Sequence, residues 1–258
     1  VNNGSRVIGP GIAGFLIAFV GAGGAFIANG VSYIAVLIAL ILIKTKPRQA
    51  VKNDQHPLRD ILDGLKYVYN KPAFIPLLAF AGILSIFAFS YTTVFPIIAR
   101  DTFRLGAAGL GYLYSAAGLG ALTASVIISS MSKKISNLAF ISGGNAMFVI
   151  AMLSFTYTNN LFLALPLLYF CGAGLTFTFP VINNTLQHLV DDRYRGRVVS
   201  MYILMFIGVA PLGNLQIGYL AERFNSESAL RLGVLVTALA GLTFYFYARK
   251  RKKLFITE

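Results

Sequence analysis

Eight apolar runs occupy most of this 258-residue chain and constrain its fold more than any other feature. All but the first are close to or above the roughly 20 residues that a helix needs to cross a bilayer. Charged residues make up only 12% of the chain, whereas soluble domains carry about 25%. Backbone groups in lipid must find partners within their own segment, which a helix provides. We therefore expect an all-α integral membrane protein with about eight transmembrane helices, over residues 6–20, 25–43, 74–98, 107–130, 138–157, 161–186, 198–221 and 229–248.

The basic residues indicate how these helices are oriented. If the N-terminus is cytoplasmic and the runs alternate, 18 of the 22 Lys and Arg residues lie on the cytoplasmic side and 4 on the other. Cytoplasmic loops of membrane proteins are enriched in these residues. Topology thus explains the net charge of +13 without a nucleic-acid partner. The sequence predicts a multi-pass protein of the inner (plasma) membrane with both termini in the cytoplasm.

The acidic residues bear on chemistry. All nine fall in loops or at helix ends. Proton-coupled transporters usually carry an ionisable group inside the membrane, so any proton coupling is expected to run through residues outside this chain. The single cysteine, Cys171, excludes an intramolecular disulfide, and the sequence shows neither a metal-ligand cluster nor the paired groups of an enzyme site. We expect no catalytic residue, no metal, no cofactor and no enzyme.

One connection, residues 44–72, differs from the short loops elsewhere. Its second half places apolar residues at helical spacing on one face, with charged residues opposite. This pattern predicts an amphipathic helix, lying either on the membrane surface or in solvent as a linker. The apolar positions are Leu58, Ile61, Leu62, Leu65 and Val68.

Several stretches resemble one transporter family. "SRVIGPGIAGFLIAFVGAGGAFIANGVSYIAVLIALILI" resembles the fifth and sixth helices of the major facilitator superfamily, and "LRDILDGLKYVYNKPAF" its central connection. "GYLYSAAGLGAL" resembles the eighth helix and "DDRYRGRVVSMYILMFIGVAPLGNLQIGYLAERF" the eleventh. The resemblance is to the multidrug and siderophore efflux branch, which includes macrolide-efflux and enterobactin-exporter proteins.

The resemblance implies a division of the chain. The superfamily has twelve helices in two parallel six-helix halves, so this chain would correspond to helices five to twelve and lack the first four. Residues 1–43 would be the last two helices of the N-terminal bundle and 44–72 a cytoplasmic linker. Residues 73–248 would form the six-helix C-terminal bundle, followed by a basic tail at 249–258. The missing helices, or a second chain, would be needed as partners.

The resemblance also implies that two sets of residues take part in conformational change. Glycine–proline motifs of helices five and eleven would shape the movement, although close helix packing explains them equally well. A basic motif would latch the cytoplasmic side by pairing with acids across the loops, although a positive-inside anchor is the favoured alternative. The residues are Gly9, Pro10, Gly14, Pro211 and Gly213 in the first set, and Arg195, Gly196 and Arg197 in the second.

Polar side chains inside the runs are the candidates for a substrate cavity. Three groups lie near 10 Å below the outer surface at about 1.5 Å per residue, and each Ser or Thr alone is more often a bond between helices. Asn214 is expected to pair with Tyr91 or Tyr114. The outer candidates are Ser90, Tyr91, Thr92, Tyr114, Asn214 and Gln216; Phe177 would add an aromatic wall, and Asn183 and Asn184 an inner patch.

In contrast, Ala116, Gly120 and Ala124 recur every four residues and predict a helix-packing face. Together these features predict a transporter, by resemblance a secondary active exporter of amphiphilic small molecules such as drugs or siderophores. The alternative is a truncated membrane remnant or lipid-handling scaffold that does not transport.

Overall fold

The computed structural model describes Gly24 and residues 27–42, 57–132 and 134–251, with the backbone alone for 57–62. Within these residues, six helical segments are long and apolar enough to cross a membrane. They are Phe74–Asp101, Gly106–Met131, Asn137–Phe155, Leu161–Leu189, Asp192–Arg223 and Ser226–Lys250. A shorter apolar helix covers Ile27–Leu42. The all-α membrane architecture is confirmed over the described part of the chain.

The described helices are labelled in chain order. The labels are α1 for Ile27–Leu42, α2 for Pro57–Tyr69, α3 for Phe74–Phe87, α4 for Phe95–Asp101, α5 for Gly106–Met131, α6 for Asn137–Phe155, α7 for Leu161–Leu189, α8 for Arg195–Ile203, α9 for Ala210–Arg223 and α10 for Ser226–Lys250.

Seven of the eight predicted runs coincide with described helical segments. The run predicted at 107–130, for example, is α5, Gly106–Met131. The first run, 6–20, lies outside the described residues, and so do Gly9, Pro10 and Gly14. Two runs expected to be continuous, 74–98 and 198–221, are each interrupted by a turn of different geometry.

The first interruption lies between α3 and α4. Pro96 has no N–H to give to the carbonyl of Thr92, four residues earlier. The backbone tightens into a 3₁₀ turn over Phe89–Val94, and the N–H of Phe95 bonds to the Thr92 carbonyl instead. The turn places backbone and hydroxyl groups inside an otherwise apolar segment.

The second interruption is a π turn over Leu204–Gly208, between α8 and α9. The N–H of Val209 bonds to the carbonyl of Leu204, five residues earlier, at 3.1 Å. With the same five-residue spacing, the donor for the Phe206 carbonyl would be the N–H of residue 211. This residue is Pro211, which has no N–H. The hydroxyl of Ser85 on α3 donates to that carbonyl at 2.5 Å.

Glycines bring α5 and α7 into close contact. Gly120 of α5 lies against the backbone of α7, and Gly172 of α7 lies against the backbone of α5. A methyl group at either position would overlap the other helix. The predicted packing face is confirmed, because Ala116, Gly120 and Ala124 are all buried.

Candidate functional site

A cavity of about 380 Å³ lies between the 3₁₀ turn, α5 and α7. Its wall is mostly apolar, with hydroxyl groups from all three elements. Among the described residues, its lining contains no charged side chain. The lining residues are Phe89, Tyr91, Thr92, Tyr114, Ala117, Gly118, Ala121, Gly172, Leu175 and Thr176.

The hydroxyls of Tyr114 and Thr92 are held by the 3₁₀ turn. The Tyr114 hydroxyl donates to the Thr92 carbonyl at 3.1 Å, which is the carbonyl deprived of its α-helical donor by Pro96. The Thr92 hydroxyl donates to the carbonyl of Phe89 at 3.4 Å. Because each hydroxyl uses its proton within the protein, its oxygen lone pairs remain available as acceptors in the cavity.

On the opposite wall, α7 contributes Thr176 beside the close contact at Gly172. Pro180 lies inside α7, so the carbonyl of Thr176, four residues earlier, lacks its intrahelical donor. This carbonyl belongs to a residue of the cavity lining. The hydroxyl oxygens of Tyr114 and Thr92 are thus the acceptors that the described hydrogen bonds leave available in the cavity.

Three of the predicted cavity residues, Tyr91, Thr92 and Tyr114, meet in this lining. Ser90 is buried, and its hydroxyl donates to the carbonyl of Ile86 at 2.6 Å. Phe177 is also buried, with its ring stacked at 5.6 Å on that of Phe140 on α6. The latter two side chains contribute to packing in this structure.

The predicted amides lie elsewhere. Asn214 is exposed, and its Oδ1 accepts a 2.9 Å hydrogen bond from Thr93 of the 3₁₀ turn. The expected partner, Tyr91 or Tyr114, was wrong. A 3₁₀ turn has three residues per turn instead of 3.6, so it presents Thr93 to α9. This bond nevertheless ties α9 to the turn that borders the cavity.

The other amides sit outside the lining too. The side-chain oxygens of Gln216 and Asn183 are buried, and neither finds a hydrogen-bond partner among the described residues. Asn184 is exposed. A substrate role for these residues stays a prediction.

The predicted basic motif forms a cluster with α2. Arg195 pairs at 2.5 Å with Asp192, three residues earlier in the sequence. Arg197 instead reaches Asp63 of α2 at 4.0 Å and lies over the ring of Tyr194 at 5.3 Å. One arginine thus pairs locally and one across the loops, while Gly196 between them is exposed.

The predicted motif in the Asp192–Arg223 segment adjoins the π turn. Pro211 lies at the start of α9, and Gly213 packs against the carbonyl of Ile86 on α3, leaving no room for a side chain. Sequence reasoning missed Ser85, which completes this junction. A lone serine in the apolar stretch "FAGILSIF" was the available signal.

Sequence reasoning also missed Thr176 and the small residues of the cavity. The available signal for Thr176 was the proline four residues later in the same helix. The small residues Ala117, Gly118 and Ala121 resemble any packing face, so their sequence pattern does not reveal that they border a cavity. Among the described residues there is no group of three or more His, Cys, Asp or Glu that could hold a metal ion.

Comparison with known proteins identifies the family. The model of the family described as "Transmembrane secretion effector" matches residues 1–254. The chain belongs to this family. It is a branch of the major facilitator superfamily, in agreement with the resemblance seen in the sequence.

Two curated proteins are similar to this chain. The staphyloferrin A transporter of Staphylococcus aureus (strain NCTC 8325 / PS 47) is 29% identical over 256 residues, covering 96% of this chain and 62% of the relative. The multidrug efflux pump Tap of Mycolicibacterium fortuitum is 25% identical over 261 residues, covering 95% of this chain and 61% of the relative. The chain therefore spans about three fifths of the length of these relatives.

A solved structure shows the same fold. It is that of a bacterial homologue of the human lysosomal transporter Spinster, in an inward-facing and unoccupied conformation. The TM-score is 0.60 at 15% identity, with 92% of this chain and 59% of that chain covered. The family and these relatives are transport proteins, so this chain is a multi-pass membrane protein of a transporter family and not an enzyme.

Proposed function

We propose that the protein containing this chain is a secondary active exporter of amphiphilic small molecules. The observation that carries the proposal is the cavity between the 3₁₀ turn, α5 and α7. Its volume, about 380 Å³, lies within the usual range of small-molecule sites, roughly 300–1,000 Å³. Its apolar wall suits the hydrophobic part of a substrate, and its acceptor oxygens suit a hydroxyl, amide or ammonium donor.

The named relatives leave two substrate classes, a siderophore and drugs. An anionic siderophore would be bound most strongly by Arg or Lys side chains, which the described lining does not contribute. A neutral or cationic amphiphile needs acceptors and apolar area, and the lining supplies both. We therefore favour drug-like amphiphiles over anionic siderophores.

Orientation and coupling form part of the same proposal. The Tyr247 hydroxyl of α10 donates to the Pro72 carbonyl just before α3, and the Thr102 hydroxyl after α4 donates to Glu227 of α10. These contacts join helix ends in the way that alternating spans require. The basic asymmetry supports an orientation with both termini in the cytoplasm, and we propose that proton coupling runs through residues outside this chain.

The domain division is proposed on the same basis. Residues 1–43 belong to an N-terminal bundle, 44–72 to a cytoplasmic linker, 73–248 to the C-terminal bundle and 249–258 to a basic tail. The remaining helices of the N-terminal bundle, or a second chain, complete the path for the substrate.

The proposal is tested by filling the cavity. Ala121 is buried in the lining, so Ala121→Leu places three extra carbon atoms where the substrate would sit. We expect export of an amphiphilic cationic dye to fall at least about 10-fold, as about 1.4 kcal/mol of lost binding would produce. Rates are compared in membrane vesicles at equal protein abundance.

The matched control is Ala108→Leu, at an exposed position of the same helix and outside the lining. It should export the dye at the unmodified rate. Equal export by both variants would show that substrate does not use this cavity. Export of a siderophore but of no dye would reverse the assignment of substrate class.

A further inference from the structure

A second groove lies on the bundle between α6 and α10. Its volume is about 450 Å³, and no residue of the first cavity contributes to it. Its floor is made of small residues, and its rim includes Ile150 and Leu242, which are 67% and 55% exposed. The lining residues are Ser142, Gly143, Asn145, Ala146, Val149, Ile150, Ala238, Gly241, Leu242 and Tyr245.

Two polar side chains of α6 lie in this groove without a complete set of partners. Asn145 is only 5% exposed, and its Oδ1 has no hydrogen-bond partner among the described residues. The buried Oγ of Ser142 likewise finds none there. The two residues are three apart, so they share one face of the helix. The amide of Asn145 packs on Gly241 of α10, where a side chain would displace it.

The unpaired oxygen of Asn145 lies far from either end of α6. Asn145 lies eight residues from Asn137 and ten from Phe155, the ends of α6, hence about 12 Å and 15 Å along the axis. That position is in the hydrocarbon interior, where bulk water does not satisfy polar groups. An acceptor that is buried and unpaired is destabilising, which favours an occupant that donates a hydrogen bond.

We propose that this groove binds a lipophilic small molecule that carries a neutral hydroxyl or N–H group and enters from the bilayer. The acceptor Oδ1 of Asn145 receives the donor, Ser142 makes a second hydrogen bond, and the aliphatic rim contacts the apolar body. The described lining has no charged side chain, so the donor group is neutral.

Size separates this occupant from lipids and helices. Ser142 and Ile150 bound α6's part of the groove, which is about 12 Å long at 1.5 Å per residue. A transmembrane helix extends over about 30 Å, well beyond the ends of this groove, and the polar headgroup of a phospholipid stays at the surface. A volume of about 450 Å³ instead matches one compact molecule. The site is separate from the proposed export cavity and does not depend on it.

The experiment exploits the absence of tryptophan from these 258 residues. Ile150→Trp places a fluorescent reporter on the rim, in the natural full-length protein with any tryptophan outside these residues replaced by phenylalanine. The protein is reconstituted in phosphatidylcholine vesicles and titrated with 4-bromo-3-hexylphenol or its methyl ether. Bromine quenches tryptophan on contact, and the two probes differ only in the hydrogen-bond donor.

We expect saturable quenching by the phenol and only linear quenching, from partition into the bilayer, by the ether. Asn145→Leu in the reporter protein should raise the half-saturating phenol concentration about 2- to 12-fold, the effect of one neutral hydrogen bond. Ser142→Ala should act in the same direction. Ser154→Ala, at an exposed position of α6, should leave the titration unchanged.

A second reporter, Val126→Trp on the exposed face of α5, measures partition alone and should show linear quenching by both probes. The proposal is overturned if phenol and ether behave alike at position 150, or if Asn145→Leu and Ser142→Ala both leave the phenol titration unchanged. It is also overturned if the reporter is shielded from both probes while Ala238→Cys forms a disulfide between two copies. That result would assign the groove to self-association.

Discussion

At the scale of single residues, two prolines leave backbone carbonyls without their regular helical donors, and hydroxyls from neighbouring helices donate to these carbonyls. Pro96 removes the α-helical donor of the Thr92 carbonyl, which accepts instead from the Phe95 N–H and from Tyr114 of α5. Pro211 has no N–H for the Phe206 carbonyl at the π turn, which accepts from Ser85 of α3. Each interruption of a membrane helix is therefore tied to another helix by a hydrogen bond to a backbone carbonyl, and the 3₁₀ turn is also bonded to Asn214 of α9.

Removing one of these hydroxyls should destabilise the protein measurably. In Ser85→Ala, the Phe206 carbonyl loses its donor from the fully buried Ser85 side chain, which should lower the free energy of unfolding by about 1–3 kcal/mol. Ser90→Ala is the matched control, because Ser90 donates to the carbonyl of Ile86 in the same membrane segment, four residues earlier. Its effect should stay below about 1 kcal/mol. Thermal unfolding of both variants in the same detergent distinguishes them, and an equal loss of stability would contradict a special role for Ser85.

At the scale of elements, α2 is joined to the loop that precedes α8. The Tyr67 hydroxyl donates to the Asp191 carboxylate at 2.9 Å and accepts from the Asp191 N–H at 3.1 Å. Its ring stacks at 4.2 Å on that of Tyr194, and Gly64 of α2 lies against Arg197 and Met201 of α8. The Arg197–Asp63 pair is partly exposed and its atoms are 4.0 Å apart, so it contributes less than a close, buried pair, and we expect the Tyr67 contacts to contribute more to this junction.

Tyr67→Phe should therefore loosen α2 while keeping the ring stack. Loss of the hydroxyl contacts should increase local opening about 2- to 12-fold for each hydrogen bond. Hydrogen–deuterium exchange of α2 backbone amides measures this opening. Tyr69→Phe changes an exposed tyrosine of the same helix and should leave exchange as it is. If Tyr67→Phe also exchanged at the original rate, the junction would be held by stacking and packing alone.

At the scale of the whole molecule, hydropathy predicted where helices lie but not how they meet. Run 107–130 became α5 with a one-residue change at each end, because the apolar length of a span is a local property. The partner of Asn214 was wrong, because it depends on how a 3₁₀ turn rotates Thr93 toward α9. Ser142 and Asn145 were not singled out, since an unpaired atom is recognised only when all its neighbours are known.

The same distinction applies to the cavity. Tyr91, Thr92 and Tyr114 were expected from their shared depth along separate helices, and depth follows from residue count at about 1.5 Å each. Thr176 was missed because its exposure to the cavity depends on the packing of α5 against α7 at Gly172. The position of a helix can thus be predicted from its own sequence, whereas this cavity depends on how three elements pack together.

The orientation of the whole molecule can be tested by labelling. In the described structure, α6 separates two connections: the turn between α5 and α6 lies at one end of α6, and the loop between α6 and α7 lies at its other end. The basic residues predict that the loop between α6 and α7 is external. Asn159 and Ser132 are exposed in these two connections, while the native Cys171 is buried and should not react. In intact cells, Asn159→Cys should therefore be labelled by a membrane-impermeant maleimide, and Ser132→Cys only after the membrane is opened.

The two variants act as controls for each other, because each thiol must react once both sides are accessible. Labelling of Ser132→Cys alone in intact cells would reverse the topology, place the α2 junction outside the cell and remove the basis for a cytoplasmic linker.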